Sequence, residues 1–171
     1  MDTELKRRMT PSISLLVLAA LTPQEHDVEI IDENVQPIHS YDRADLVGIT
    51  CNVDTFERAR AHAIQFQKNG SPVILGGIFP SSSPEIAGQH ADSVCIGEAE
   101  PLWQTILEDA QRGQLKREYR WHNGYPVDMI PRPKWEAIEK ERYLYTNVIT
   151  TSRGCPFSCE FCYNSCKYME K

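Results

Sequence analysis

The sequence predicts an α/β protein built on a doubly wound parallel sheet, and three observations carry that expectation. Short β-rich runs alternate with helical segments at the spacing of β-α-β units. One run, Leu46-Val47-Gly48-Ile49-Thr50, is apolar on both faces, as an interior parallel strand must be. The runs also end in small or turn-forming residues: Thr50-Cys51-Asn52, Gly76-Gly77 and Gly97-Glu98. Right-handed crossovers place all the strand carboxyl ends on one edge, and ligands of such Rossmann-like sheets bind beyond that edge. These three loops are therefore the expected pocket mouth. Glycine after a strand is most often turn chemistry alone, so Gly76-Gly77 by itself says little.

Taken in order, the chain opens with charged residues to Met9, where an opening strand is expected and none is readable. The sheet is accordingly expected to lack its first strand. Ile13 to Leu21 is almost continuously apolar and reads as a buried helix started by Pro11 or Ser12 and stopped near Thr22-Pro23, with a strand as the alternative. Val28-Glu29-Ile30-Ile31-Asp32 reads as a strand ending at an acid, and Leu46–Thr50 as the next. Asp54 and Glu57 have the spacing of a capping box for a helix carrying Phe56, Ala59, Ala63 and Ile64, which Asn69-Gly70 stops before Pro72. Val73-Ile74-Leu75 is a further strand. Ser83-Pro84 opens a short helix through Gln89, Ser93–Ile96 is a strand, and Pro101–Arg112 is a helix with Leu102, Ile106, Leu107 and Ala110 on one face and Gly113 as its stop. Pro126, Pro131 and Pro133 make 114–143 a linker with a short helix over Lys134–Lys140. Tyr145 to Thr151 alternates as a strand does and leads into a cluster of cysteines.

The 171 residues suffice for one globular domain and a little more, and 18 Lys and Arg against 24 Asp and Glu give a net charge of -6. That balance argues against a nucleic-acid partner. The longest apolar run falls well short of the ~20 residues of a membrane span, and no small-residue cleavage site follows it. Six cysteines, four of them in one loop, suit a reducing cytoplasm. Cys51 and Cys95 fall in or beside strands and are expected in the core or lining the pocket, and Trp103, Trp121 and Trp135 are expected to pack.

Cys155, Cys159 and Cys162 stand at C-x3-C-x2-C. Structural zinc normally takes four protein ligands, whereas three thiolates in one tight loop leave a coordination position open. Soft thiolates suit an iron-sulfur cluster. Cys166 could close a four-thiolate site, but its spacing departs from the ferredoxin run and Lys167 stands where that run has proline; it reads as a spare thiol.

The C-x3-C-x2-C loop followed by the aromatic Tyr163 resembles the signature loop of radical S-adenosylmethionine (radical SAM) enzymes. The resemblance implies that Cys155, Cys159 and Cys162 each bind one iron of a 4Fe-4S cluster whose fourth iron is chelated by S-adenosylmethionine, with Tyr163 near the adenine. One electron from the cluster would then cleave the sulfonium to a 5'-deoxyadenosyl radical. The runs Ala44–Thr50, Pro72–Gly77 and His90–Pro101, with Gly97-Glu98-Ala99-Glu100 the most distinctive piece, resemble the cobalamin-binding Rossmann-like domain that precedes the barrel in one large subfamily. On that resemblance Thr50, Asn52, Gly76, Gly77, Gly97 and Glu98 match positions near the cobalamin tail and ring. The D-x-H-x-x-G motif that would ligate cobalt is absent around His26, His39, His62, His90 and His122.

The implied organisation is a cobalamin-binding-like domain over 1–113, a linker over 114–143, and over 144–171 the first strand and cluster loop of a truncated radical SAM (β/α) barrel. Nine residues follow Cys162, whereas such a barrel takes on the order of 200. The chain is therefore expected to be a fragment, or to be completed by a separate chain. The implied activity is methyl transfer, cyclisation or rearrangement on a small-molecule substrate, with flavodoxin or ferredoxin as electron donor. A non-catalytic cobalamin-binding or interaction module and a zinc-binding α/β protein are the alternatives.

Overall fold

In the computed structural model, residues 9–151, Arg153, Cys159, Glu160 and Cys162 are described. Four parallel strands, β1 (Val47–Thr50), β2 (Val73–Gly76), β3 (Ser93–Ile96) and β4 (Glu118–Arg120), lie side by side in chain order. The alternation of side chains across the sheet explains its two-sided packing. Val73, Leu75, Val94 and Ile96 point to one face, where they meet Phe56, Ala59, Ala63 and Phe66 of α2 (Phe56–Lys68). Short helices α3 (Ile78–Ser82) and α4 (Pro84–Ala87) complete that layer through Phe79 and Ala87. Ile74, Cys95 and Tyr119 point to the opposite face, against Ile106 of α5 (Trp103–Gln111). Leu75, Ile96 and Ile106 are fully enclosed, and each such side chain contributes about 1.5–3 kcal/mol of transfer free energy. α1 (Ile13–Leu21) joins α5's layer, with the Trp103 indole N–H donating to Thr22 Oγ1 at 2.9 Å.

The predicted α/β class and parallel sheet agree with this architecture, and several local expectations do not: among the described residues β1, expected as an interior strand buried on both faces, is the end strand, with Gly48 and Thr50 exposed. Val28–Asp32 forms no strand, because among the described residues no ladder lies beside it. Its Asp32 is buried and accepts from Asn34 and from the Tyr143 hydroxyl instead. α2 starts after Thr55 rather than Asp54; Asn52 Oδ1 takes the Thr55 N–H at 3.0 Å, and Glu57 pairs with Arg60 instead of closing a capping box. The helix expected from Ser83 to Gln89 is confined to α4, α3 precedes it unannounced, and α5 follows a 3-10 turn at Glu100–Leu102. The chain steps one place along the sheet each time, with two crossovers on one face and the third, through α5, on the other. That third connection therefore has the opposite hand to the first two, an exception to the usual rule.

The expected linker is partly structure. β4 lies within it, and only Tyr119 of its three residues is buried, too short an alternation to read from sequence. Further along, Lys134 N–H bonds Leu16 O at 3.0 Å and Arg142 Nη1 bonds Val35 O at 3.0 Å. Lys134–Lys140 holds only single 3-10 turns, Trp135–Ala137 and the start of Lys140–Arg142. Residues 145–151 pair with no strand among the described residues; Tyr145 N–H reaches Met9 O at 2.8 Å, and Ile149 is 81 % exposed. Among the described residues no helix is long and apolar enough to cross a membrane.

Candidate functional site at the carboxyl edge of the sheet

Because the strands are parallel, Thr50, Gly76 and Ile96 all end on one edge, and Thr50 stands opposite Gly76 in the ladder. The two turns leaving β2 and β3 demand glycine. Gly77 sits at φ 100°, where an added Cβ would come 2.7 Å from Cys51 O; Gly97, at φ 87°, would place it 2.2 Å from Trp121 O. Ser81 ties the turns together, donating to Gly77 O at 2.7 Å while accepting the Gly97 N–H at 3.0 Å. The carboxyl edge is thus fixed by the chain's own polar groups.

Immediately beyond Gly97 stand two carboxylates that share one guanidinium. Glu98 Oε1 lies 3.1 Å from Arg153 Nη1, and Glu100 Oε1 lies 2.6 Å from Arg153 Nη2. Glu98 Oε2 also accepts the Tyr125 N–H, so both of its oxygens are engaged. The three side chains are only 11 %, 6 % and 23 % exposed. Partial burial works to lower the Arg153 pKa, but the hydrogen bond and charge of Glu100, then of Glu98, outweigh it and the net direction is upward. The guanidinium stays charged, and its planar fork suits two separate acceptors.

Arg153 precedes Cys155 by two residues, so this ion triad lies at the entrance to the cysteine loop. Cys159 is exposed and Cys162 half-buried, and Cys162 N–H bonds Cys159 O at 3.1 Å, a tight turn between two of the three predicted thiol ligands. Cys155, Tyr163 and Cys166 lie outside the described residues. Among the described residues no three His, Cys, Asp or Glu side chains stand together as a metal site. The other two cysteines behave as core. Burial pushes the Cys51 thiol up to about 11, and burial with the nearby Glu100 charge pushes Cys95 up to about 12. Such thiols stay protonated and are poor ligands. The donor chemistry of the loop, soft thiols held in a turn and reached by solvent, fits an iron-sulfur cluster.

The six positions matched to cobalamin gather at this edge, and several of them already have partners within the chain. Asn52 holds the start of α2, Gly77 and Gly97 leave no room for a side chain beside the Cys51 and Trp121 backbone oxygens, and Glu98 bonds Arg153 and Tyr125. Thr50 is exposed and Gly76 half-buried in the ladder. Of the tryptophans, Trp103 packs as expected, whereas Trp121 carries a buried indole N–H with no partner among the described residues. Sequence reasoning passed over Ser81, Glu100, Tyr125 and Arg153 as site residues. The one available signal was Arg153, a base two residues ahead of Cys155, set against a closely spaced acidic pair.

An α/β protein with a parallel sheet, whose carboxyl edge holds an arginine two residues ahead of a run of cysteines, is the class this geometry defines. No family model matches the chain, and no solved structure matches it. It is 38% identical over 172 residues to the bacteriochlorophyllide d C-8(2)-methyltransferase of Chlorobaculum tepidum, covering 95% of this chain and 38% of that protein. It is 28% identical to the hopanoid C-2 methylase of Rhodopseudomonas palustris, over 89% of this chain and 30% of the methylase. It is 24% identical to the anaerobic magnesium-protoporphyrin IX monomethyl ester cyclase of Rubrivivax gelatinosus, over 70% of this chain and 27% of the cyclase. These relatives are methylating enzymes and a cyclase by name, and the chain spans between a quarter and two fifths of their lengths.

Proposed function

We propose that this chain is part of a radical SAM enzyme that carries out methyl transfer or ring formation on a small-molecule substrate, with cobalamin as a second cofactor. The observation that carries the reading is the C-x3-C-x2-C loop in a chain aligned over nearly its whole length with a named methyltransferase. Cys155, Cys159 and Cys162 would hold a 4Fe-4S cluster, and Tyr163 would lie beside S-adenosylmethionine. A cluster there supplies the electron that cleaves the sulfonium C–S bond. The residues of this chain would do the holding, and the turn at Cys159–Cys162, where Cys162 N–H bonds Cys159 O, supports that reading. Cobalamin use rests on the sheet class and on the methylating relatives, with an electron donor of the flavodoxin or ferredoxin kind and a cytoplasmic setting completing the reading.

The test is anaerobic reconstitution of the purified chain with iron and sulfide, followed by metal and sulfide analysis. The reading predicts about four irons and four sulfides per chain, lost in Cys159→Ser. Zinc without sulfide would overturn it. Addition of hydroxocobalamin to the same protein should shift the cobalamin absorption bands; an unchanged spectrum removes the second cofactor and leaves the first.

A further inference from the structure

Glu98 and Glu100 follow β3 just after Gly97, which sits at φ 87°, and Glu100 opens the 3-10 turn that leads into α5, whose Ile106 is fully buried. Both carboxylates are therefore anchored to the core. They point at a residue 53 or more positions later in the chain, the base two residues ahead of Cys155. Opposite charges this poorly exposed repay their desolvation only when the geometry is good and their remaining bonds are satisfied; here the contacts are short, and the second oxygen of Glu98 is taken up by the Tyr125 N–H. A surface pair of this kind would be of no consequence; this one joins two parts of the fold.

We propose that Glu98 and Glu100 are the docking carboxylates for the cysteine loop, and that Arg153, gripped between them, is a positioning residue that sets where the three thiols stand relative to the carboxyl edge of the sheet. Glu98 does double service, since its second oxygen fixes the Tyr125 backbone and so the segment leaving β4. Lysine cannot replace the arginine, because a single ammonium point charge does not bridge two carboxylates as the fork does. The part of the inference that concerns the cluster rests on the radical SAM reading; the clamp itself does not.

Trypsin tests the clamp without any metal. Cleavage after Arg153 requires the side chain to leave both carboxylates, whereas Arg43 is exposed in an irregular segment and provides the internal reference. In the wild-type chain the Arg153–Gly154 bond should be cut about tenfold more slowly than Arg43–Ala44, and in E98Q/E100Q the two should be cut at similar rates. E100Q alone, which leaves the Tyr125 acceptor untouched, should show a smaller acceleration and guards against misfolding of the double variant. R153K should be cut as fast as E98Q/E100Q. After anaerobic reconstitution E98Q/E100Q should keep its iron and sulfide but show an altered reduced-cluster paramagnetic spectrum. Equal wild-type rates at Arg153 and Arg43, or variants cut no faster than wild type, would overturn the clamp. Unchanged protease protection in the wild type with no cluster assembled would instead overturn the radical SAM reading alone.

Discussion

Cys51 and Cys95 are buried in or beside the sheet, while Cys159 is exposed and Cys162 half-buried, and the two pairs differ in surroundings rather than in residue type. The first pair is enclosed among apolar side chains that disfavour a thiolate. The second is reached by solvent and gathered in a turn. Surroundings, more than residue type, decide which sulfur can ligate a metal.

The sharpest way to break that comparison is to exchange serine into each place. Cys162→Ser should abolish cluster assembly, read as loss of sulfide and of visible absorption, whereas Cys51→Ser and Cys95→Ser should retain both. A smaller effect is expected where the edge is built. Gly97→Ala adds a methyl 2.2 Å from Trp121 O at a left-handed φ and should lower unfolding free energy by about 2–4 kcal/mol in a denaturant titration. At the opposite edge Asp92 Oδ2 accepts the Val73 N–H at 2.8 Å and Gln67 Nε2 at 3.0 Å. Asp92→Ala strands the Val73 donor and should cost about 1–3 kcal/mol, by the same titration, without altering the cluster.

The smallest effect concerns pH. The Cys95 thiol titrates near 9.0 when unfolded and is raised to about 12 when folded, so the native state keeps a proton that the unfolded chain loses. Stability from this group is complete below pH 9 and declines as pH rises toward 12. Cys95→Ala should flatten that decline in melts across the alkaline range.

The interior was readable because burial on both faces imposes continuous apolar runs, as in Val73-Ile74-Leu75 and Ser93–Ile96. β4 escaped notice because its ladder is three residues long and exposes Glu118 and Arg120. Val28–Asp32 has strand composition but no neighbouring strand among the described residues, and composition cannot supply one. The three-thiol spacing was legible as chemistry, yet the partners that engage the loop were not. Arg153 meets Glu98 and Glu100 only through the fold, and a charge carries no record of its partner along the chain. Glycine was readable as turn chemistry but not as a contact with Cys51 or Trp121, which again depends on tertiary approach.

Electron paramagnetic resonance of the anaerobically reconstituted, reduced chain, recorded before and after adding S-adenosylmethionine, bears on the central claim most directly. A cluster bound by Cys155, Cys159 and Cys162 with one iron open predicts a low-temperature signal that changes shape when the ligand arrives. A signal indifferent to S-adenosylmethionine, or none from protein that has taken up zinc, would contradict it.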